Sequence, residues 1–177
     1  IQYRNSDLEK ALRTFNEALQ LFRHVPHKIE LAATLHCLGV LYFHLPKSDT
    51  SRAMEYYVTA LQIRKQAFAT EHKDVATTLN NIGRVHYIKG EYDHALAKYL
   101  EALRIRRSLL GKDHLDVAAT VYNAGQTFHQ QGELDKALKY YQEFMRIAVP
   151  KLGQNHRDVA VMLKCMAQIY HEQRQYE

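Results

Sequence analysis

The chain repeats itself every 42 residues. Asp74-Val75-Ala76-Thr77-Thr78-Leu79-Asn80-Asn81-Ile82-Gly83 returns as Asp116-Val117-Ala118-Ala119-Thr120-Val121-Tyr122-Asn123-Ala124-Gly125 and again as Asp158-Val159-Ala160-Val161-Met162-Leu163-Lys164-Cys165-Met166-Ala167. The downstream halves match as well: Tyr92-Asp93-His94-Ala95-Leu96-Ala97-Lys98-Tyr99 is answered by Leu134-Asp135-Lys136-Ala137-Leu138-Lys139-Tyr140-Tyr141. An earlier first half, Leu35-His36-Cys37-Leu38-Gly39, stands 44 residues before its counterpart, so two residues are inserted in the turn at 46–51. A still earlier second half, Ala11-Leu12-Arg13-Thr14-Phe15, lies 42 before its own and lacks a first half, while Tyr176-Glu177 matches Tyr92-Asp93. Read this way, the sequence starts and stops inside repeats and opens without Met, as expected of a piece of something longer. A unit this short cannot bury its apolar face alone, so such a period implies stacking into one continuous core.

Within each half the apolar and small residues recur at helical spacing, as in Leu79, Ile82, Gly83 and His86, or Ala95, Leu96, Tyr99, Ala102 and Leu103. Lys89-Gly90-Glu91 and Gln131-Gly132-Glu133 read as tight breaks, where glycine accepts positive φ. The predicted helices run over 7–24, 30–45, 50–68, 74–89, 92–110, 116–131, 134–151 and 158–173. Asp116 and Asp158 are expected as N-caps, with His72, His114 and His156 buttressing the turns before them. Gly39, Gly83, Gly125 and Ala167 admit a close partner helix, and Tyr57, Tyr99 and Tyr141 fill the space between repeats. Phe144 replaces the small Ala18, Ala60 and Ala102, which calls for local adjustment or contact with a continuation. The fold class is all-α, a right-handed α-solenoid of about eight antiparallel helices. Its expected division is a partial repeat at 1–29, full repeats at 30–73, 74–115 and 116–157, and a partial repeat at 158–177, forming a single array.

Composition removes several function classes. Apolar runs are too short to span a bilayer, and the first residues have no apolar stretch of a signal peptide. The excess of 24 Lys and Arg over 19 Asp and Glu is mild and interleaved with acids, unlike a nucleic-acid stripe. Its densest cluster, Arg104, Arg106, Arg107 and Lys112, reads as a polar helix face. Cys37 and Cys165 lie three repeats apart, beyond disulfide reach. His72, His114 and His156 fall one per repeat, roughly 10 Å apart, which no single zinc with bonds near 2 Å can join. His86 and His94 show no converging Cys, Asp or Glu pattern. No nucleotide, metalloprotease or nucleophile-elbow motif is present. The expectation is no catalytic residue, no metal, no cofactor, no nucleic acid and no membrane; with no export signal, it is a cytoplasmic chain.

Gly39 with Tyr42, Gly83 with His86, Gly125 with Phe128 and Ala167 with Tyr170, each followed by a later Ala, resemble the tetratricopeptide signature. That unit is usually 34 residues long. The 42-residue length, together with Leu110-Gly111-Lys112-Asp113-His114, Leu152-Gly153-Gln154-Asn155-His156 and Thr77-Thr78-Leu79-Asn80-Asn81, resembles the repeat domain of kinesin light chains. It departs from that pattern where Lys73, Leu115 and Arg157 replace a proline, and at the 46–51 insertion. The resemblance implies a protein-binding scaffold, and cargo adaptation on the cytoskeleton is one form of it.

In such a solenoid the first helix of each pair lines the inner, concave face. Residues there are not needed for stacking. The candidate peptide-contact residues are His36, Phe43, His44, Asn80, Asn81, Arg84, Tyr87, Tyr122, Asn123, Gln126, His129, Lys164, Gln168 and His171. Their amides both donate and accept, Arg84 and Lys164 can meet acidic side chains, the histidines can assist when protonated, and Phe43, Tyr87 and Tyr122 offer apolar anchors. In the resembling light-chain domains, inner Asn residues and bases hold short aromatic and acidic peptides, which by position implies Asn80, Asn81, Asn123, Arg84 and Lys164. The expected partner is an extended or short helical peptide, neutral to acidic. Asn80, Asn81 and Arg84 read equally as ordinary solvated or half-buried groups. The alternative function is assembly through the convex face or the stack ends, including end-to-end self-association, where Leu163, Met166, Ile169 and Tyr170, and Phe15 and Leu19, would lack helical partners.

Overall fold

The computed structural model describes residues 2–22, 28–45, 48–68 and 71–175. Among them are eight helices and no strand: α1 (Gln2–Phe22), α2 (Lys28–His44), α3 (Thr50–Ala67), α4 (Lys73–Ile88), α5 (Tyr92–Leu110), α6 (Leu115–Gln130), α7 (Leu134–Leu152) and α8 (Arg157–Gln175). Every predicted helix is present, with α1 beginning well before its expected start. The expected end of that helix at 23–24, Pro46 and Lys47 of the insertion, and the Tyr176-Glu177 match lie outside the described residues.

The chain divides into two compact units, Ile1–Val85 and His86–Glu177. In the first, α1 packs on α2 and α2 on α3; in the second, α5 packs on α6, α6 on α7 and α7 on α8. The first core joins Leu19, Leu35, Leu38 and Ala60, with Phe43, Ala53, Tyr57, Ile82 and Val85 beside it. The second is built on Leu103, Val117, Val121, Tyr141, Phe144, Ile147, Met162 and Ile169, with Ala95, Leu96, Tyr99 and Ala124 in a further cluster.

Helix pairs close on glycine–tyrosine contacts. A Cβ on Gly39 would sit 2.7 Å from the Tyr57 ring, and one on Gly125 would sit 2.7 Å from the Tyr141 ring. No real Cβ contact is that short, so glycine sets the approach and the buried ring fills it. Gly90 and Gly132 both have φ of 76°, as the breaks between helices required.

The N-caps differ from expectation. α6 starts at Leu115, and its cap is His114, whose Nδ1 accepts the Asp116 N–H at 3.0 Å. His72 and His156 accept from Asp74 and Asp158 in the same way, each at 3.2 Å. The helices begin a residue earlier than predicted, so the aspartates fall in the first turn and the preceding histidine satisfies the free donor. There the aspartate charge favours the positive helix end.

Phe144 is buried within the chain, its ring 6.0 Å from Tyr122. Leu163 and Tyr170 on α8 are 53% and 51% exposed. Leu19 and Ile169, also expected to lack partners, are buried instead, because Leu35, Leu38 and Ala60 cover the first and the Tyr141–Phe144 cluster covers the second. Phe15 and Met166 are half-buried.

Candidate peptide-binding face

Two of the second helices, α3 and α5, each send one long side chain toward the first helix of the following repeat. In the first unit this is Arg64 of α3, only 7% exposed. Its Nη1 donates to the Asp74 carbonyl at 3.0 Å and to Thr78 Oγ1 at 2.5 Å, and lies 3.3 Å from His36 Nδ1. Thr78 donates onward to the Asp74 carbonyl at 2.7 Å. The Asn81 amide meets His36 Nε2 at 3.3 Å. In the second unit Arg106 of α5 repeats the reach, to the Asp116 carbonyl at 2.9 Å and Thr120 Oγ1 at 2.5 Å. Arg106 therefore does not belong to a solvated basic face; it is buried. The sequence signal was available, since Arg64 and Arg106 stand one period apart and Thr78 and Thr120 do the same.

One period later all these positions become apolar or nearly so. Ala148 replaces Arg106 and Met162 replaces Thr120, both fully buried, with Tyr122 and Cys165 packed against the same cluster. By register Tyr122 stands for His36 and Cys165 for Asn81. A buried polar network is favourable when every member is paired and costly when one is missing, so the positions change together.

Among the candidate residues of the first unit, His36 is largely buried, and burial first and the Arg64 charge second push its pKa down to about 4, against the opposing pull of Asp74. It is neutral at pH 7 and brings no charge, contrary to the expectation for it. Phe43 is core, roofed by Arg84, whose guanidinium carbon lies 4.6 Å from the ring centroid. His44 is exposed, and partial burial and Arg84 hold its pKa below the usual value. Asn80 is buried, and Asn81 and Arg84 are half-buried. Among the described residues Arg84 forms no ion pair.

In the second unit, Tyr87 and Tyr122 are half-buried, and burial raises both phenol pKa values. The Tyr122 hydroxyl accepts from Gln126 Nε2 at 2.7 Å. His129 Nε2 meets the Glu172 carboxylate at 3.1 and 3.2 Å, joining α6 to α8. Asn123 is half-buried, whereas Lys164, Gln168 and His171 are exposed. The structure thus brings together Tyr122 with Gln126, and His129 with a carboxylate that the sequence reading had not paired with it.

His86 bonds Glu91 through Nδ1 and stacks on His94 at 5.4 Å. No group of three or more His, Cys, Asp or Glu side chains among the described residues could hold a metal ion. Cys37 and Cys165 are free, with thiol pKa values raised by burial. No helix of the described residues is long and apolar enough to cross a membrane.

The glycine–tyrosine closures, the capped turns and the repeated Arg–Thr latch define the repeat, and a tetratricopeptide repeat profile matches residues 47–108, 74–148 and 118–177. This chain belongs to the tetratricopeptide repeat family. No curated protein sequence matches it. Among solved structures, BtubC (BKLC) from P. vanneervenii is 23% identical, with a TM-score of 0.86 over 96% of this chain and 68% of that one. A putative kinesin light chain of nearly identical TPR-like repeats from Podosopora anserina is 15% identical, with a TM-score of 0.79 over 97% of this chain and 81% of that one. The apo form of RapI is 18% identical, with a TM-score of 0.78 over 99% of this chain and 46% of that one. These likenesses establish the tetratricopeptide fold and its similarity to kinesin-light-chain-type repeats. Tetratricopeptide repeats generally serve as protein-interaction scaffolds and are generally non-enzymatic.

Proposed function

We propose that this tetratricopeptide array holds an extended or short helical peptide, neutral to acidic in character, on the first-helix face of its repeats. The observation that carries the reading is Arg84: a cation on a phenylalanine ring, half-buried, with no carboxylate of its own among the described residues. A half-buried cation without a counter-charge favours an acidic partner. Lys164 offers a second base in the other unit, exposed on α8. Asn81, Asn123 and Gln126 supply amides that suit the backbone of an extended peptide. Similarity to kinesin-light-chain-type repeats supports a cytoplasmic adaptor that carries a cargo peptide.

The test is a fluorescence-anisotropy titration with acidic and neutral peptides. Arg84→Glu with Lys164→Glu is expected to weaken the acidic set at least tenfold and to spare the neutral set. Equal affinity for acidic peptides in wild type and variant removes the reading. It would favour instead a second one, assembly through α8, whose Leu163 and Tyr170 are about half exposed.

A further inference from the structure

In the cluster around His36 the donors of Arg64 and Thr78 crowd one face of the imidazole, and this fixes the polarity of a neighbouring amide. A guanidinium only donates, and Arg64 Nη1, whose two hydrogens also serve the Asp74 carbonyl and Thr78 Oγ1, turns the long branch of a shared hydrogen to His36 Nδ1 at 3.3 Å. Thr78 lies 3.5 Å from the same nitrogen, but its proton is committed to the Asp74 carbonyl at 2.7 Å. Nδ1 is therefore an acceptor. The neutral imidazole then carries its proton on Nε2, the nitrogen that meets the Asn81 amide at 3.3 Å. An N–H cannot pair with an NH2, so the carboxamide turns its oxygen to His36; the two ends of an amide are nearly equal in shape and are assigned by such networks. Burial beside Arg64 holds the imidazole neutral, with a pKa of about 4, so the arrangement persists at neutral pH.

We infer that Arg64 is a positioning residue that, through the tautomer of His36, makes Asn81 offer only its NH2 to a bound peptide, so that this position reads a main-chain carbonyl oxygen. The inference rests on the peptide-binding reading above for its ligand, and on the Arg64–His36–Asn81 geometry for the rest. It separates Asn81 from Cys165, the residue at the equivalent position of the last repeat, where no amide is available. It also gives the buried arginine a consequence beyond stacking, since the apolar set Ala148 and Met162 stacks without one.

Long-range proton–nitrogen NMR on the full chain at pH 7.5 reads the tautomer directly. The expected spectrum has His36 protonated at Nε2 and bare at Nδ1; an Nδ1-protonated ring, or a mixture of both, overturns the relay. Arg64→Met should mix the tautomers while leaving the His114 signal unchanged, and a His36 spectrum unaltered in a folded Arg64→Met overturns it too. The wild-type spectrum decides the point if that variant does not fold. The ligand half is tested with acetylated, amidated neutral pentapeptides containing tyrosine and serine. Asn81→Asp keeps the oxygen that His36 needs and removes the donor, so it should weaken the tightest of these about fivefold to tenfold, the worth of one hydrogen bond. Undiminished affinity overturns the donor assignment. Absence of binding to wild type overturns the ligand half along with the peptide-binding reading, while the tautomer result stands or falls separately.

Discussion

His114 does for α6 what a serine or aspartate does for most helices. Its imidazole lone pair accepts the Asp116 N–H at 3.0 Å, and the following aspartate is left to interact with the helix end. His114→Ala should cost about 1 kcal/mol in chemical denaturation, the usual worth of an N-cap. His114→Asn, whose short oxygen can make the same bond, should recover most of it. The residue pattern announced a boundary here but misassigned the cap, because imidazole is an uncommon capping group and aspartate a common one. Glycine at positions 39 and 125 was easier to read. Only a residue without Cβ tolerates a tyrosine ring at 2.7 Å, and the sequence shows the ring 16 residues after Gly125 and 18 after Gly39, where the two-residue insertion intervenes.

Between elements, the arginine of one repeat is held by the threonine of the next. Removing Arg106 leaves Thr120 and the Asp116 carbonyl with fewer partners in a buried place. Arg106→Ala should therefore destabilise the fold by about 1–3 kcal/mol. Adding Thr120→Met copies the set that the last repeat already uses, Ala148 against Met162, and should restore part of the loss. A double-mutant cycle measures this: a coupling of about 0.5 kcal/mol or more supports an exchangeable set, and simple additivity counts against it. Helix positions were legible because apolar periodicity reports which face is buried. The latch was not, because an arginine in a run with Arg104 and Arg107 reads as a surface charge. Only its recurrence with threonine, one period apart, distinguishes it. The same limit applies to the candidate face, where the sequence names Asn81 and Arg84 as candidates but does not show that His36 would meet the first or that the Phe43 ring would lie beneath the second.

At the scale of the molecule, acid should be more damaging than the surface charge alone suggests. His36 has a folded pKa near 4, below its ordinary 6.5, so the unfolded chain takes up the proton first. The groups facing it are Arg64, Thr78, Asn81 and the Tyr57 ring at 5.3 Å, with Asp74 nearby. Stability from this group is full above about 6.5 and is lost as the pH falls toward 4, by up to about 3 kcal/mol. Urea denaturation at pH 7 and pH 5 should show the decline, and His36→Gln should flatten it. An equal slope in the variant would assign the acid sensitivity elsewhere.

The sets at the repeat boundaries also bear on how such a chain can be rearranged. A 42-residue unit looks interchangeable by length, and duplication or recombination could move it anywhere in the array. Its edges are less permissive. A helix carrying Met162 placed after Arg64 or Arg106 would trap a guanidinium against hydrocarbon, whereas one carrying Thr78 or Thr120 would accept either arginine. Viable shuffles are then those that cut where matching edges meet, and the order of the units is inscribed in their side chains rather than in their length.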